Sequence, residues 1–330
     1  MALPTLTKTW QYTVNQTTGV PASAIDVNRT WIRTVKDALI AFASTPWTMR
    51  YSCNSVTAGA AGDGVDRITT NANLVWASAG SAHSWIVLRQ TGIATNFELL
   101  LSCENAHASG TTLMIVVSPA AGFTGGTTTA RPTATDEVVL NAAAVAWAAS
   151  AVTALRWHLQ QSTDGQCTRI ITCAAGSIQS ALILEKPAQP ATGWTNPSLS
   201  YAVGTAPGNP LAAATLGAVG GAFGAKIGAT TALLSMSAEG LITSSAATSF
   251  PTNTNWGNIA NEVSGEWPML PVGAICVTAT VRGRHGVFQD LWTGSGGANT
   301  GDTYPSGASN QFAQFDNIII PWDGSAVQLS

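Results

Sequence analysis

The chain has 330 residues, of which 14 are basic and 17 acidic, giving a formal net charge of −3; 9% of residues are charged and 45% hydrophobic. Soluble domains average about 25% charge, so the composition argues against a freely solvated monomer, and the small net charge argues against general attraction to nucleic acid or anionic lipid. A membrane-spanning helix needs about 18 to 20 uninterrupted apolar residues, and the nearest stretch, 211–225, is shorter, carries Gly217, Gly220, Gly221 and Gly224, and is closed by Lys226.

What remains is a chain much of whose surface is covered by other subunits, since packed interfaces deplete charge and enrich aromatic residues. The twelve tryptophans fit that reading. Five cysteines leave one unpaired in any full disulfide scheme, there is no Cys-x-x-Cys, and Met1 to Lys8 lacks a cationic segment followed by an apolar one. Synthesis in a reducing bacterial cytoplasm without a signal peptide is the expectation.

In chain order, residues 1–46 read as an N-terminal arm and helix. Thr5, Thr7, Thr9, Trp10, Tyr12 and Val14 alternate as an extended strand before Gly19 and Pro21. Such an arm begins the protein's own sheet or pairs with a neighbour's sheet edge. From Asp26 to Ala43, Trp31, Val35, Leu39 and Phe42 recur at spacings of four, four and three, which predicts an amphipathic helix ending before Pro46.

Residues 47–200 read as a β-sandwich body. Trp47 to Cys53 is its first strand, and Asp63 and Asp66 lie in a Gly- and Ala-rich loop without the twelve-residue ligand pattern of a calcium site. The runs His83–Gln90, Phe97–Cys103 and Leu113–Ser118 read as a three-strand meander. Apolar residues on both faces of its strands imply cover on both sides, by the helix or by a second copy. A second meander, 153–186, is the expected partner sheet. In it Leu155, Trp157 and Leu159 alternate with Arg156, His158 and Gln160, and Ser162-Thr-Asp-Gly165 marks a tight hairpin. Cys167 and Cys173, six residues apart on one straight strand, would stand roughly 20 Å apart, too far for a disulfide.

Prolines 187, 190, 197, 207 and 210 then break the pattern, and 201–250 reads as a Gly/Ala/Pro-rich connecting region. Residues 251–330 read as a C-terminal β region packed on the body, with strands near 275–281 and 315–322.

Candidate chemistry is sparse. His83, His107, His158 and His285 follow no nucleophile motif and there is no Gly-x-Ser-x-Gly. Cys103 and His107 make half of a metal site at most. Glu262 and Glu266 flank Gly265 ahead of Trp267, the residue types of a glycan-contact face or, at the correct carboxylate separation, of a glycan hydrolase. The densest constellation is Arg282, Arg284 and His285 with Asp290, Asp302 and Asp316, whose opposite charges suit internal ion pairs or subunit contacts. No catalytic residue, cofactor or metal ligand is assigned.

Several short motifs occur together: Ser162-Thr-Asp-Gly165, Glu185-Lys-Pro187 with Gly193-Trp-Thr-Asn-Pro197, Arg282-Gly-Arg-His-Gly286 to Asp290-Leu-Trp292, Gly301-Asp-Thr-Tyr-Pro305, and Pro321-Trp-Asp-Gly324. In combination, over most of residues 80–325, they resemble a group of virion structural proteins of tailed bacteriophages. The resemblance implies a place on the particle and brings no catalytic residues with it. The expectation is therefore a mostly β protein, an antiparallel, jelly-roll-like β-sandwich with one N-terminal helix and a β-rich C-terminal region. Its expected work is non-enzymatic: a virion component of the capsid exterior or tail, partnered by copies of itself and other virion proteins, with no nucleic acid and no membrane span. The alternative is a receptor- or glycan-binding module of the tail, meeting a host surface glycan, and a third reading is an envelope glycan hydrolase.

Overall fold

The computed structural model describes residues 4–18, 24–53, 66, 68–70, 83–93, 97–104, 112–118, 121–126, 130–144, 154–174, 177–185, 201–204, 223–227, 230–232, 234–238, 269–278, 281–293, 303–304, 311–315 and 318–324. The chain is mostly β, with antiparallel sheets and, among the described residues, one helix. Strand β1 (Trp10–Thr18) precedes helix α1 (Ala24–Ala41). Strands β2 (Thr48–Ser52), β3 (His83–Gln90), β4 (Phe97–Glu104), β5 (Thr112–Ser118) and β6 (Val138–Ala144) pair in that order as a five-stranded sheet.

Next come β7 (Ala154–Ser162), β8 (Cys167–Ala174), β9 (Ser177–Glu185), β10 (Tyr201–Gly204), β11 (Phe223–Ile227) and β12 (Thr230–Ala232). With β1 added beside β7, they make a seven-stranded sheet. The last sheet holds β13 (Leu234–Ala238), β14 (Leu270–Thr278), β15 (Val281–Thr293), β16 (Thr303–Tyr304), β17 (Phe312–Phe315) and β18 (Ile318–Pro321), in the order β13-β14-β15-β18-β17-β16. The stretch 201–250, expected as a connection, thus carries β10 to β13.

The β7–β8 hairpin turns where its sequence asks it to. Gly165 takes a φ of 69° and its N–H donates to the Ser162 carbonyl at 2.8 Å. The Asp164 carboxylate accepts from the Ser162 hydroxyl and the Gln166 N–H, which locks the corner. Tight approach explains a second glycine: a Cβ on Gly92 would stand 2.6 Å from the Gly165 carbonyl oxygen. The turn after β3 therefore rests directly on this hairpin.

Period-2 alternation then sorts the seven-stranded sheet into two unlike faces. One face presents Trp157, Leu159, Ile170 and Leu184, which share a single buried core with Trp31, Ile32, Val35 and Leu39 of α1 and with Ile86, Leu88, Phe97 and Leu99 of the five-stranded sheet. Trp31 and Trp157 meet edge-on at 6.3 Å, and the Trp157 indole N–H donates to the Thr34 hydroxyl at 2.6 Å. In proteins most helical stability comes from tertiary packing of an amphipathic face. Burial of each large apolar side chain contributes about 1.5–3 kcal/mol, so this core, more than local propensity, holds α1 in place.

The outer face of the five-stranded sheet carries Tyr51, Trp85, Val87, Leu100 and Glu98, all buried. The chain itself covers part of it. Residues 121–126 and 130–137 fold over this face through the Thr124–Thr133 bridge and the Arg131–Glu137 ion pair. Gly126, at a φ of 94°, lies so close to the Trp85 ring that a Cβ would stand 2.8 Å from it.

Candidate functional site

The second face of the seven-stranded sheet is polar and aromatic. It presents Trp10 and Tyr12 from β1, His158 from β7, Arg169 from β8 and Glu185 from β9. Towards the last sheet, His158 lies 5.0 Å from the Phe315 ring and 5.3 Å from Trp322, and Tyr12 packs edge-on against Trp322 at 5.8 Å. Over residues 157–162, 167–171 and 183–185, both faces of this sheet are buried.

Arg169 and Glu185 are fully buried. In the β8–β9 register Cys167 stands opposite Glu185 and Arg169 opposite Ile183, so the two charges are diagonal neighbours on one face. The Arg169 Nη2 donates to Glu185 Oε2 at 3.2 Å, and its guanidinium lies 4.6 Å from the Trp10 ring centroid.

The third partner comes from a bulge in β15. Val287 stands opposite Gly273 and Trp292 opposite Pro271, so four residues of β15, Phe288 to Leu291, face one residue of β14, Val272. A bulge of this kind bends its strand and re-aims backbone and side chains. Within it Asp290 takes a left-handed φ of 48°, which Asp tolerates better than most residues.

The carbonyls of Gln289 and Asp290 consequently point at Arg169, which donates Nη2 to the first and Nη1 to the second, the latter at 2.8 Å. The Gln289 N–H donates to Glu185 Oε1 at 2.8 Å. The Asp290 carboxylate faces the other way and receives four donors from the N-terminal segment: Thr7 N–H and Thr7 hydroxyl, each at 2.8 Å, Lys8 N–H at 3.0 Å, and Trp10 Nε1–H at 2.9 Å. One junction thereby ties the N-terminal arm, the central sheet and the last sheet together.

Burial pushes the Glu185 carboxyl up from its ordinary 4.5 to about 7, against the opposing pull of Arg169 and the Gln289 N–H. Burial, followed by the Glu185 charge, also raises the Cys167 thiol well above its usual value, the reverse of the activation a nucleophile needs. Among the described residues no group of three His, Cys, Asp or Glu side chains is placed to hold a metal ion, and no helix is long and apolar enough to cross a membrane.

A second buried carboxylate, Glu98, is the counterpart in the five-stranded sheet. It accepts from Arg50 Nε at 2.6 Å, Arg89 Nη2 at 2.6 Å and the Phe123 N–H at 2.7 Å, and so fastens the covering segment to the sheet.

Of the residues singled out from sequence, Asp290 occupies the centre of the junction. Arg282 and Arg284 lie further along β15, opposite Val277 and Ile275, with His285 next to Arg284. Asp302, Glu262, Glu266 and Trp267 lie outside the described residues. Sequence reasoning gave Arg169 and Lys8 no site role, named Thr7 and Trp10 only as alternating residues of an extended arm, and noticed Glu185 only as part of a short motif. Its available signal was an arginine in mid-strand beside Ile170 in a chain with few charges.

Fold and junction together define an antiparallel β protein in which the segment from Thr7 to Trp10 and the last sheet are locked onto a central sheet. Compared with known proteins, the chain is matched by no family model, no curated protein and no solved structure.

Proposed function

We propose that the chain is a non-enzymatic structural protein of a bacteriophage particle, held by symmetric contacts between copies on the capsid exterior or in the tail. The observation that carries this reading is where its charges go. At least seven of the fourteen basic residues, Lys8, Arg33, Lys36, Arg50, Arg89, Arg131 and Arg169, form ion pairs within the chain. Charge so used is not available to solvate the exterior, and a weakly charged exterior suits burial against other subunits. The resemblance of the sequence motifs to tailed-phage virion proteins supports the same reading. The packing of five- and seven-stranded sheets about α1 is read here as a β-sandwich. Its largely sequential strand orders fit a meander more closely than a jelly-roll winding.

The test is the native mass of the purified chain together with its position on the particle. A symmetric oligomer found in purified particles is expected, with normal assembly of the Glu262→Gln, Glu266→Gln double variant. Binding of the isolated chain to host cells or polysaccharide, in competition with infection, would replace this reading with an adhesin. Glycan turnover abolished in the double variant would replace it with a hydrolase.

A further inference from the structure

Glu98 holds two cations with a single buried charge. It stands directly opposite Arg89 in the β3–β4 register. Arg50 reaches it from the bulge in β2, where Met49 and Tyr51 pair with successive residues of β3 and Arg50 is the extra one. Both arginines converge on Oε1, Arg50 through Nε and Arg89 through Nε and Nη2, while Oε2 accepts from the Phe123 N–H. Two guanidiniums against one carboxylate leave a positive charge unmatched.

The neighbouring acids do not match it. Asp136 accepts from the Ser118 hydroxyl at 2.5 Å and the Ala121 N–H, and Glu137 takes Arg131. Among the described residues, Glu98 is the acid with which Arg50 and Arg89 pair. Arg50 Nη1 and Nη2 and Arg89 Nη1 are not directed at Glu98, and they are not buried either. The two side chains keep 18% and 28% of their surface exposed, whereas Glu98 keeps none.

Strand β2 is the outer strand of the five-stranded sheet. A bulge and a charge on an outer strand work against pairing with a strand of another chain, so a partner approaching here meets guanidinium groups in place of a backbone ladder. Planar N–H forks of this kind match a carboxylate. Charge points to the molecule that offers one: with 17 acidic residues against 14 basic, a second copy of the chain carries carboxylates in excess.

We propose that Arg50 and Arg89 form a seat for a carboxylate of a second copy of this chain, an ion-pair contact made once by each partner across a twofold interface. The inference rests on the structural-protein reading above and supplies a contact for it. Glu98 fixes the two side chains from within, so their remaining donors are ordered before the partner arrives, which reduces the entropy lost on binding.

The experiment is sedimentation velocity on the full chain over a range of concentrations. Arg50→Gln leaves Arg89 to neutralise Glu98, and is expected to keep the far-ultraviolet circular dichroism of the unaltered chain. Its dissociation constant for self-association is expected to rise roughly tenfold or more, because a twofold pair loses the contact at both ends. Arg50→Lys, which keeps the charge and loses the fork, is expected to fall between the two. An unchanged constant in Arg50→Gln overturns the contact, while the structural-protein reading is decided separately by the presence of the chain in purified particles. An unaltered chain that stays monomeric throughout also overturns it. So does retention of a monomeric chain on polygalacturonate that is lost in Arg50→Gln, which would assign the arginines to an acidic glycan. Should Arg50→Gln fail to fold, phenylglyoxal labelling of the unaltered chain decides, mapped by peptide mass. Arg50 and Arg89 are expected to react more slowly in the oligomer than in the dilute monomer, and equal reaction overturns the contact.

Discussion

Asp290 gives its entire carboxylate to four donors between Thr7 and Trp10 while its own carbonyl accepts from Arg169. Asp290→Ala leaves those donors unpaired and puts a Cβ-bearing residue without a polar side chain at a φ of 48°. Each uncompensated buried donor costs about 1–3 kcal/mol, so a loss of roughly 3 kcal/mol in denaturant unfolding is expected. Asp290→Asn, which tolerates the left-handed region and keeps one acceptor oxygen, is expected to lose about half as much. Gly92→Ala drives a methyl against the Gly165 carbonyl, backbone against backbone, with an expected loss of about 1–3 kcal/mol by thermal unfolding. Asp290 stood out in the sequence because it sits among arginines. Its partners did not, because the residues it binds lie some 280 positions earlier and two of their four donors are backbone N–H groups, which leave no trace in residue type.

Among the elements, the strands of the first meander and the β7–β8 hairpin are legible because their apolar residues run or alternate at strand length between turn formers, and because Asp164-Gly165 specifies a tight corner. The bulge in β15 is not legible. It comes from a mismatch in length between two paired strands, and Phe288-Gln-Asp-Leu291 alone gives no sign of it. The cover over Trp85 is equally hidden, since Gly125, Gly126 and Pro132 read as an ordinary loop until the sheet beneath them is placed. Glu98 shows how that cover is held. Glu98→Gln removes the charge that Arg50 and Arg89 share, and breaking one side of a buried ion pair costs about 3–5 kcal/mol. The variant is expected to unfold at lower denaturant, and protease is expected to cut within 121–137 before the sheet is lost.

For the whole molecule, two sets of carboxyls pull the pH optimum in opposite directions. Arg131 holds Glu137, and Lys8 with Ser162 holds Asp164, below their ordinary values despite desolvation, so their contributions are present at neutrality and fade as acid protonates them. Glu185 does the reverse, fading as pH rises towards about 7. Stability measured by urea midpoint is therefore expected to peak in mildly acidic solution and to decline on both sides. Glu185→Gln is expected to flatten the alkaline side alone. Composition showed from the outset that charges are few. It did not reveal that some of them, Arg169 with Glu185 and Arg50 with Glu98, are buried and tie separate strands together.

The seat of the arm also imposes an order on the making of the protein. Trp10 leaves the ribosome 280 residues before Asp290, which at roughly 5–20 residues per second is a delay of about 15–55 s. Throughout it α1 and the five-stranded sheet can form, while Thr7, Lys8 and Trp10 have no Asp290 to receive them. Closing the junction joins a segment to a partner made some 280 residues after it, so the arm is seated only once β15 has emerged.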